Sequence, residues 1–197
     1  MIALCAEYIV GFLCKNDIIT DEEKNIYQYG FEIGISNLVN VFIAIMLGLL
    51  FSQLVSILIF LCVFSVMRKY SGGYHADTYE KCELIFALNV IGIIYILKLG
   101  IYFSKIQCLC ISVLSILILV ILAPIENKHK PLDINNCRKY KLYAIGLCIL
   151  FSIISILIYD RSTQYSETIY LTLLSVVFSM IVQILKREAG EKKDEEC

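Results

Sequence analysis

A thiol, an imidazole and several basic side chains occur close together in one segment of the chain, residues 68–82. Its sequence is Arg-Lys-Tyr-Ser-Gly-Gly-Tyr-His-Ala-Asp-Thr-Tyr-Glu-Lys-Cys. The segment holds His75, one of only two histidines in the protein. A thiol deprotonated by an imidazole is a nucleophile that can attack a peptide carbonyl. Cys82 and His75 are therefore the candidates for covalent catalysis.

The residues around this pair predict a turn followed by a helix. Gly72 and Gly73 let the backbone turn where other residues could not. Asp77 and Glu80 fit a reciprocal helix cap, so we expect a helix from about residue 78 through Cys82. A helix N-terminus favours a thiolate, but the effect fades by the second turn. We therefore expect His75 to supply most of the activation of Cys82.

The spacing of the pair limits how it can meet. Seven residues of continuous helix would separate His75 from Cys82 by about 10 Å along the axis. Helical side chains also lean towards the N-terminus, so His75 would point away from the thiol. A loop over residues 72–76 that folds His75 back would bring the two together. In the simpler alternative the glycines merely end a membrane helix, and the segment is an ordinary interfacial loop.

Two further groups in the segment could assist the chemistry. Asp77 could orient His75, although a helix cap is its simpler role. Ser71 and the backbone N–H groups around Gly73 could form an oxyanion site.

Basic residues flank the candidate site in two places. Arg68 and Lys69 could bind substrate carboxylates or anchor a helix at anionic headgroups. Lys128 and Lys130 form a second basic cluster, which could dock an acidic peptide tail or act as a membrane anchor.

The remaining cysteines show no pattern of metal ligands or disulfides. The chain has nine cysteines but no CxxC pair. Most of them lie within or beside apolar runs, where cysteine behaves as a small hydrophobic residue. We therefore predict no metal and no cofactor. Cys108 and Cys110 are the one close pair, and a thiol oxidoreductase using them is an alternative function.

The composition places the site in a membrane protein. Hydrophobic residues make up 59% of the 197 residues and charged residues 18%. Soluble domains are about 45–50% apolar and about 25% charged. This excess argues against a disordered chain, a nucleic-acid binder or an ordinary soluble enzyme, and the net charge of −1 argues separately against nucleic acid. We predict an all-α, polytopic membrane bundle forming a single domain.

Hydropathy predicts about six transmembrane helices. Four spans are expected at residues 84–103, 107–123, 142–159 and 168–185. The uncharged stretch 38–67 would be about 45 Å long as one helix, well beyond the apolar core of a bilayer. We prefer a hairpin of two helices broken at Ser52-Gln53, with one long tilted helix as the alternative.

The flanking segments complete the expected topology. Residues 1–37 are predicted to be cytoplasmic or interfacial, residues 38–185 the bundle, and residues 186–197 a charged tail. Thr20 and Glu23 resemble a capping box before an amphipathic helix. That helix would lie among membrane lipids at the interface or pack on the protein's own cytoplasmic face. Most basic residues fall on one side of six spans, which predicts a cell-membrane protein with both termini and the 68–82 loop in the cytoplasm.

The motif residues resemble a known family. Arg68, the Gly72-Gly73-Tyr-His75-Ala run and Cys82 resemble the signature of the AgrB family, the accessory gene regulator protein B. The segment 123–132, Ala-Pro-Ile-Glu-Asn-Lys-His-Lys-Pro-Leu, is similar to a second cytoplasmic segment of that family.

The resemblance implies a bacterial membrane cysteine endopeptidase, with His75 and Cys82 as the catalytic pair. Its partner would be an AgrD-type propeptide. The enzyme would remove the C-terminal part of that propeptide and help to convert the rest into a cyclic thiolactone or lactone for quorum sensing.

Two other functions are compatible with the same spans. A small peptide transporter would need several charges or broken helices within the membrane, and Lys98 is the main charge there. A non-enzymatic scaffold would need only the spans themselves. Small residues at Gly92, Gly100 and Ser112 permit a homodimer.

Overall fold

The computed structural model describes residues 1–73, 78–100, 102–125 and 134–195, apart from the side chains of 134–136 and 187–195. Within these ranges the chain forms seven α-helices and no strand. They are α1 (Ile2–Lys15), α2 (Lys24–Leu50), α3 (Leu54–Ser71), α4 (Tyr79–Leu99), α5 (Lys105–Leu122), α6 (Ile134–Tyr159) and α7 (Thr163–Glu195). In the described part of the chain six helices, α2 to α7, are long and apolar enough to cross a bilayer. The predicted all-α bundle is confirmed.

The stretch predicted at 38–67 is a hairpin, as preferred from the sequence. The α2 helix ends at Leu50 and α3 begins at Leu54. Ser52 adopts a positive φ of 56°, and the Gln53 N–H donates to the Gly48 carbonyl at 2.7 Å. Gly48 lets the helices approach, because a Cβ there would lie 3.2 Å from Leu54 Cα and from Ile57 Cβ.

The start of the hairpin differs from the expectation. The predicted amphipathic helix and the first span form one helix, α2, without a break near residue 37. Thr20 does not cap it, because Glu23 is the N-cap residue and the Thr20 N–H and hydroxyl both donate to the Glu23 carboxylate. These bonds, the backbone one foremost, lower the pKa of Glu23. At 27 residues α2 is about 40 Å long, so part of it extends beyond a bilayer core of about 30 Å.

Helix α7 lies at the centre of the bundle and separates two apolar cores. It packs against α3, α4, α5 and α6. One core joins α2, α3, α4 and α7 through Ala44, Ile57, Phe60, Val90, Ile93, Ile94, Leu97 and Leu171. The other joins α3, α5, α6 and α7 around Met67, Leu119, Cys148, Leu173, Val176 and Met180. The pair α3–α7 belongs to both cores and so fixes the position of the C-terminal end of α3.

Polar contacts hold together the turns at the opposite end of the bundle. The Phe103 N–H donates to the buried Glu167 carboxylate at 2.7 Å, and the Tyr159 hydroxyl donates to the Phe103 carbonyl at 2.7 Å. Gln164 Nε2 donates to Gln53 Oε1, which joins the α2–α3 turn to the start of α7. This end is thus distinct from the end that carries the 68–82 segment.

Candidate active site

The end of α3 forms a turn that is attached to the segment following α5. The Gly72 N–H still donates to the Arg68 carbonyl at 3.2 Å, but its φ of +73° ends the helix. The Ile125 N–H donates to the Ser71 carbonyl at 3.0 Å. A Cβ on Gly72 would collide with the Ile125 carbonyl oxygen. This glycine is therefore required both by its backbone angle and by the close approach of the second segment.

Gly73 lies directly against the arginine side chain. Its φ is +141°, a value that side-chain-bearing residues rarely adopt. A Cβ at this position would overlap Arg68 Nη1 and lie 2.7 Å from Ser179 Oγ. The path of the chain out of the turn therefore depends on a residue without a side chain.

Arg68 is held on two sides. Its Nη1 donates to Ser179 Oγ on α7 at 3.1 Å, and its guanidinium carbon lies 5.6 Å from the centre of the Phe64 ring. The guanidinium is also within range of a Coulombic interaction with Cys82 on α4. The neighbouring Lys69 is exposed, with its Nζ 5.5 Å from the centre of the Tyr70 ring. Of these two basic residues, Arg68 is the one that interacts electrostatically with the thiol.

Cys82 lies at the start of α4, as the sequence predicts. Thr78 is the N-cap residue, and its side chain accepts the Lys81 N–H at 3.4 Å. The Cys82 N–H makes the first full helical bond, to the Thr78 carbonyl at 3.2 Å. Cys82 is half-buried, so its thiol is accessible from one side. Thr78 is thus the N-cap residue of α4, and Asp77, the other residue of the expected cap with Glu80, lies outside the described residues.

The backbone at Thr78 marks where the helix that carries Cys82 begins. Thr78 is extended, with φ −133° and ψ 149°. His75 lies outside the described residues, so its geometry relative to Cys82 remains a prediction.

An aromatic contact joins α3 to α4 near the candidate site. The rings of Phe64 on α3 and Phe86 on α4 lie 5.8 Å apart. Arg68 follows Phe64 by four residues and Cys82 precedes Phe86 by four, so each is about one helical turn along its helix from a ring of this contact.

Sequence reasoning identified part of this site. Arg68, Gly72, Gly73 and Cys82 come together as described above, and the buried Ser71 hydroxyl donates to the Gly72 carbonyl at 3.1 Å. Four predicted residues lie outside the described part of the chain: His75, Asp77, Lys128 and Lys130. The roles assigned to all of these residues remain predictions.

Three contributors were missed. Phe64 and Phe86 could have been suspected from the sequence, since each is four residues from a predicted site residue. Nothing in the sequence points to Ser179, because 111 residues separate it from Arg68.

The alternative thiol pair has an unfavourable geometry. Cys108 is buried and Cys110 is exposed. Residues two apart on a helix point to different sides, so the two sulfurs do not face each other while α5 stays helical. Among the described residues no group of three His, Cys, Asp or Glu side chains is placed to hold a metal ion.

The fold defines a multi-pass helical membrane protein, with Arg68 and Cys82 at the end of the bundle that carries the 68–82 segment. The family model of accessory gene regulator B (AgrB) matches residues 6–182. The chain belongs to the AgrB family. Membership supports a role in processing the autoinducer peptide of an accessory gene regulator system.

Curated relatives agree with this assignment. AgrB-like protein 2 of Clostridium perfringens strain 13 is 29% identical over 72% of this chain and 71% of its own length. An AgrB-like protein of C. perfringens strain SM101 is 31% identical over 71% of this chain and 70% of its own. A third AgrB-like protein, from Lactiplantibacillus plantarum, is 28% identical over 83% of this chain and 80% of its own length. No solved structure matches the chain.

Proposed function

We propose that the protein is a membrane cysteine endopeptidase that cleaves an AgrD-type propeptide near its C-terminus and assists its cyclisation. The observation that carries the proposal is the half-buried Cys82 thiol in the first turn of α4, which interacts electrostatically with the Arg68 guanidinium. The thiolate is the nucleophilic form of a cysteine. His75, seven residues before Cys82 in the family motif, is the proposed general base.

The first step is attack on the peptide bond. His75 takes the thiol proton, and the Cys82 sulfur attacks the scissile carbonyl carbon of the propeptide. The C–N bond then breaks, and His75 returns the proton to the leaving amine. The products are an acyl-thioester on Cys82 and a released C-terminal fragment.

The second step closes the ring. A thiol or hydroxyl within the bound peptide attacks the thioester carbonyl, and the Cys82 sulfur leaves as a thiolate. A thiol gives a thiolactone, and the exchange of one thioester for another is nearly balanced in free energy. Water competes for the same carbonyl, so the bound peptide must shield the thioester.

The basic side chains suit an acidic peptide. We propose that Lys128 and Lys130 bind the acidic C-terminal tail of the propeptide. The close contact between the Gly72 turn and Ile125 supports this, because Ile125 leads directly into the segment that holds both lysines. Cleavage and tail binding would then take place at one end of the bundle.

We propose that the site faces the cytoplasm, as the distribution of basic residues predicts. In a background with no other cysteines, Ser52→Cys in the α2–α3 turn should react with a membrane-impermeant maleimide in intact cells. Thr20→Cys should react only after permeabilisation. Both positions are exposed, so accessibility within the protein does not bias the comparison. The reverse labelling pattern would overturn the orientation.

A single-cysteine protein tests the proposed chemistry. Changing every cysteine except Cys82 to serine or alanine should preserve cleavage of a co-expressed propeptide, because no other thiol takes part. The measurement is the release of a tagged C-terminal fragment, with membrane insertion checked in parallel. If the inserted single-cysteine protein is inactive and restoring a different cysteine brings cleavage back, the nucleophile has been misassigned.

A further inference from the structure

We infer that Ser179 of α7 is a positioning residue, which holds the Arg68 guanidinium against the glycine turn at Gly73 and so links the central helix to the proposed site. The inference rests on the proposed function and deepens it. It assigns a role to a residue 111 positions away from Arg68 in sequence.

The hydroxyl of Ser179 has a fixed direction. Its Oγ donates its proton to the Val176 carbonyl one turn earlier, at 2.7 Å. The lone pairs of the oxygen are therefore available to accept, and Arg68 Nη1 donates to it at 3.1 Å. An acceptor whose own proton is already engaged suits a guanidinium, which can only donate.

The surroundings leave the guanidinium little room to move. Phe64 covers one face, and the α-carbon of Gly73 lies so close that even a Cβ would overlap Nη1. Ser179 Oγ borders the same position, 2.7 Å from where that Cβ would be. Three elements, α3, the glycine turn and α7, thus converge on one guanidinium nitrogen.

Arg68 makes other interactions besides these. Removing the Ser179 hydroxyl should therefore displace the guanidinium without releasing it. We therefore expect the reactivity of the Cys82 thiol to fall in part and not to be lost completely.

The same helix offers a matched control. Ser175 is also half-buried, and its hydroxyl donates to the Thr172 carbonyl at 2.9 Å, the same bond to a carbonyl three residues earlier. Ser175→Ala therefore removes an equivalent hydroxyl and intrahelical bond from α7 at a position one turn further from Arg68.

The test measures thiol reactivity directly, in the protein that keeps Cys82 as its one cysteine. The rate of alkylation by iodoacetamide is recorded from neutral to alkaline pH. Ser179→Ala should lower the rate at neutral pH by about tenfold, because the guanidinium loses the hydrogen bond that holds it in place. Ser175→Ala should leave the rate unchanged.

Two further comparisons separate positioning from packing. Threonine and valine have nearly the same shape, but only threonine keeps the hydroxyl. Ser179→Thr should therefore retain the alkylation rate at neutral pH and Ser179→Val should not. This pair tests the inference even if Ser179→Ala folds poorly. In an Arg68→Lys background, Ser179→Ala should add less than about a twofold effect, because the group it positions has changed.

Equal rates for the threonine and valine variants, or a full tenfold effect in the Arg68→Lys background, would overturn the inference. These outcomes leave the proposed endopeptidase intact. That proposal fails separately, if protein lacking Cys82 still cleaves.

Discussion

Replacing Cys82 with alanine should abolish propeptide cleavage, with a loss of about 1,000-fold or more, because it removes the proposed nucleophile. His75→Ala should lower the rate by about 100- to 10,000-fold, the usual contribution of a general base. The measurement is the amount of tagged C-terminal fragment released from a co-expressed propeptide, relative to the inserted protein.

Exposed cysteines elsewhere supply the control. Cys62 on α3 and Cys110 on α5 are both exposed, and alanine at either position should leave cleavage unchanged. Normal insertion together with persistent cleavage by Cys82→Ala would contradict covalent catalysis at this thiol. If His75→Ala still cleaves while Cys82→Ala does not, Cys82 remains the proposed nucleophile and a group other than His75 must accept its proton.

The second large effect is expected from a single methyl group. Gly73→Ala places a Cβ on Arg68 Nη1 and beside Ser179 Oγ, at a φ of +141° that alanine rarely adopts. Either the guanidinium or the outgoing chain must move, and both position the site. We expect a loss of about 100-fold in cleavage, the cost of a misplacement of roughly 1 Å.

Gly92 is the control for this substitution. It lies within α4, and a Cβ added there would meet nothing within 4 Å. Gly92→Ala should insert and cleave like the unmodified protein. Cleavage by Gly73→Ala at the level of Gly92→Ala would mean that Arg68 does not need its observed position.

Much of the fold follows from the sequence because a bilayer imposes simple rules. Apolar runs of sufficient length gave the spans, and Ser52-Gln53 marked the hairpin. The continuity of α2 was missed because the switch from amphipathic to fully apolar residues suggested two helices. A change of surroundings along a helix alters its composition without requiring a break in its backbone.

The site was predictable only where its residues are close in sequence. Arg68, Gly73 and Cys82 lie within one short motif, and their residue types indicated the chemistry. Ser179 joins them only through the packing of α7 on α3, which leaves no trace in local sequence. The contact of Phe64 with Phe86 near the site likewise depends on the packing of two helices together.

The most direct test of covalent catalysis is to trap the acyl-thioester on Cys82. A propeptide whose ring-closing cysteine or serine is changed to alanine cannot displace the enzyme, so the intermediate should accumulate. After an acid quench, intact-protein mass spectrometry should show the N-terminal propeptide fragment, less one water, attached to Cys82. Hydroxylamine should remove this adduct. Release of the C-terminal fragment with no adduct at any quench time would contradict the mechanism.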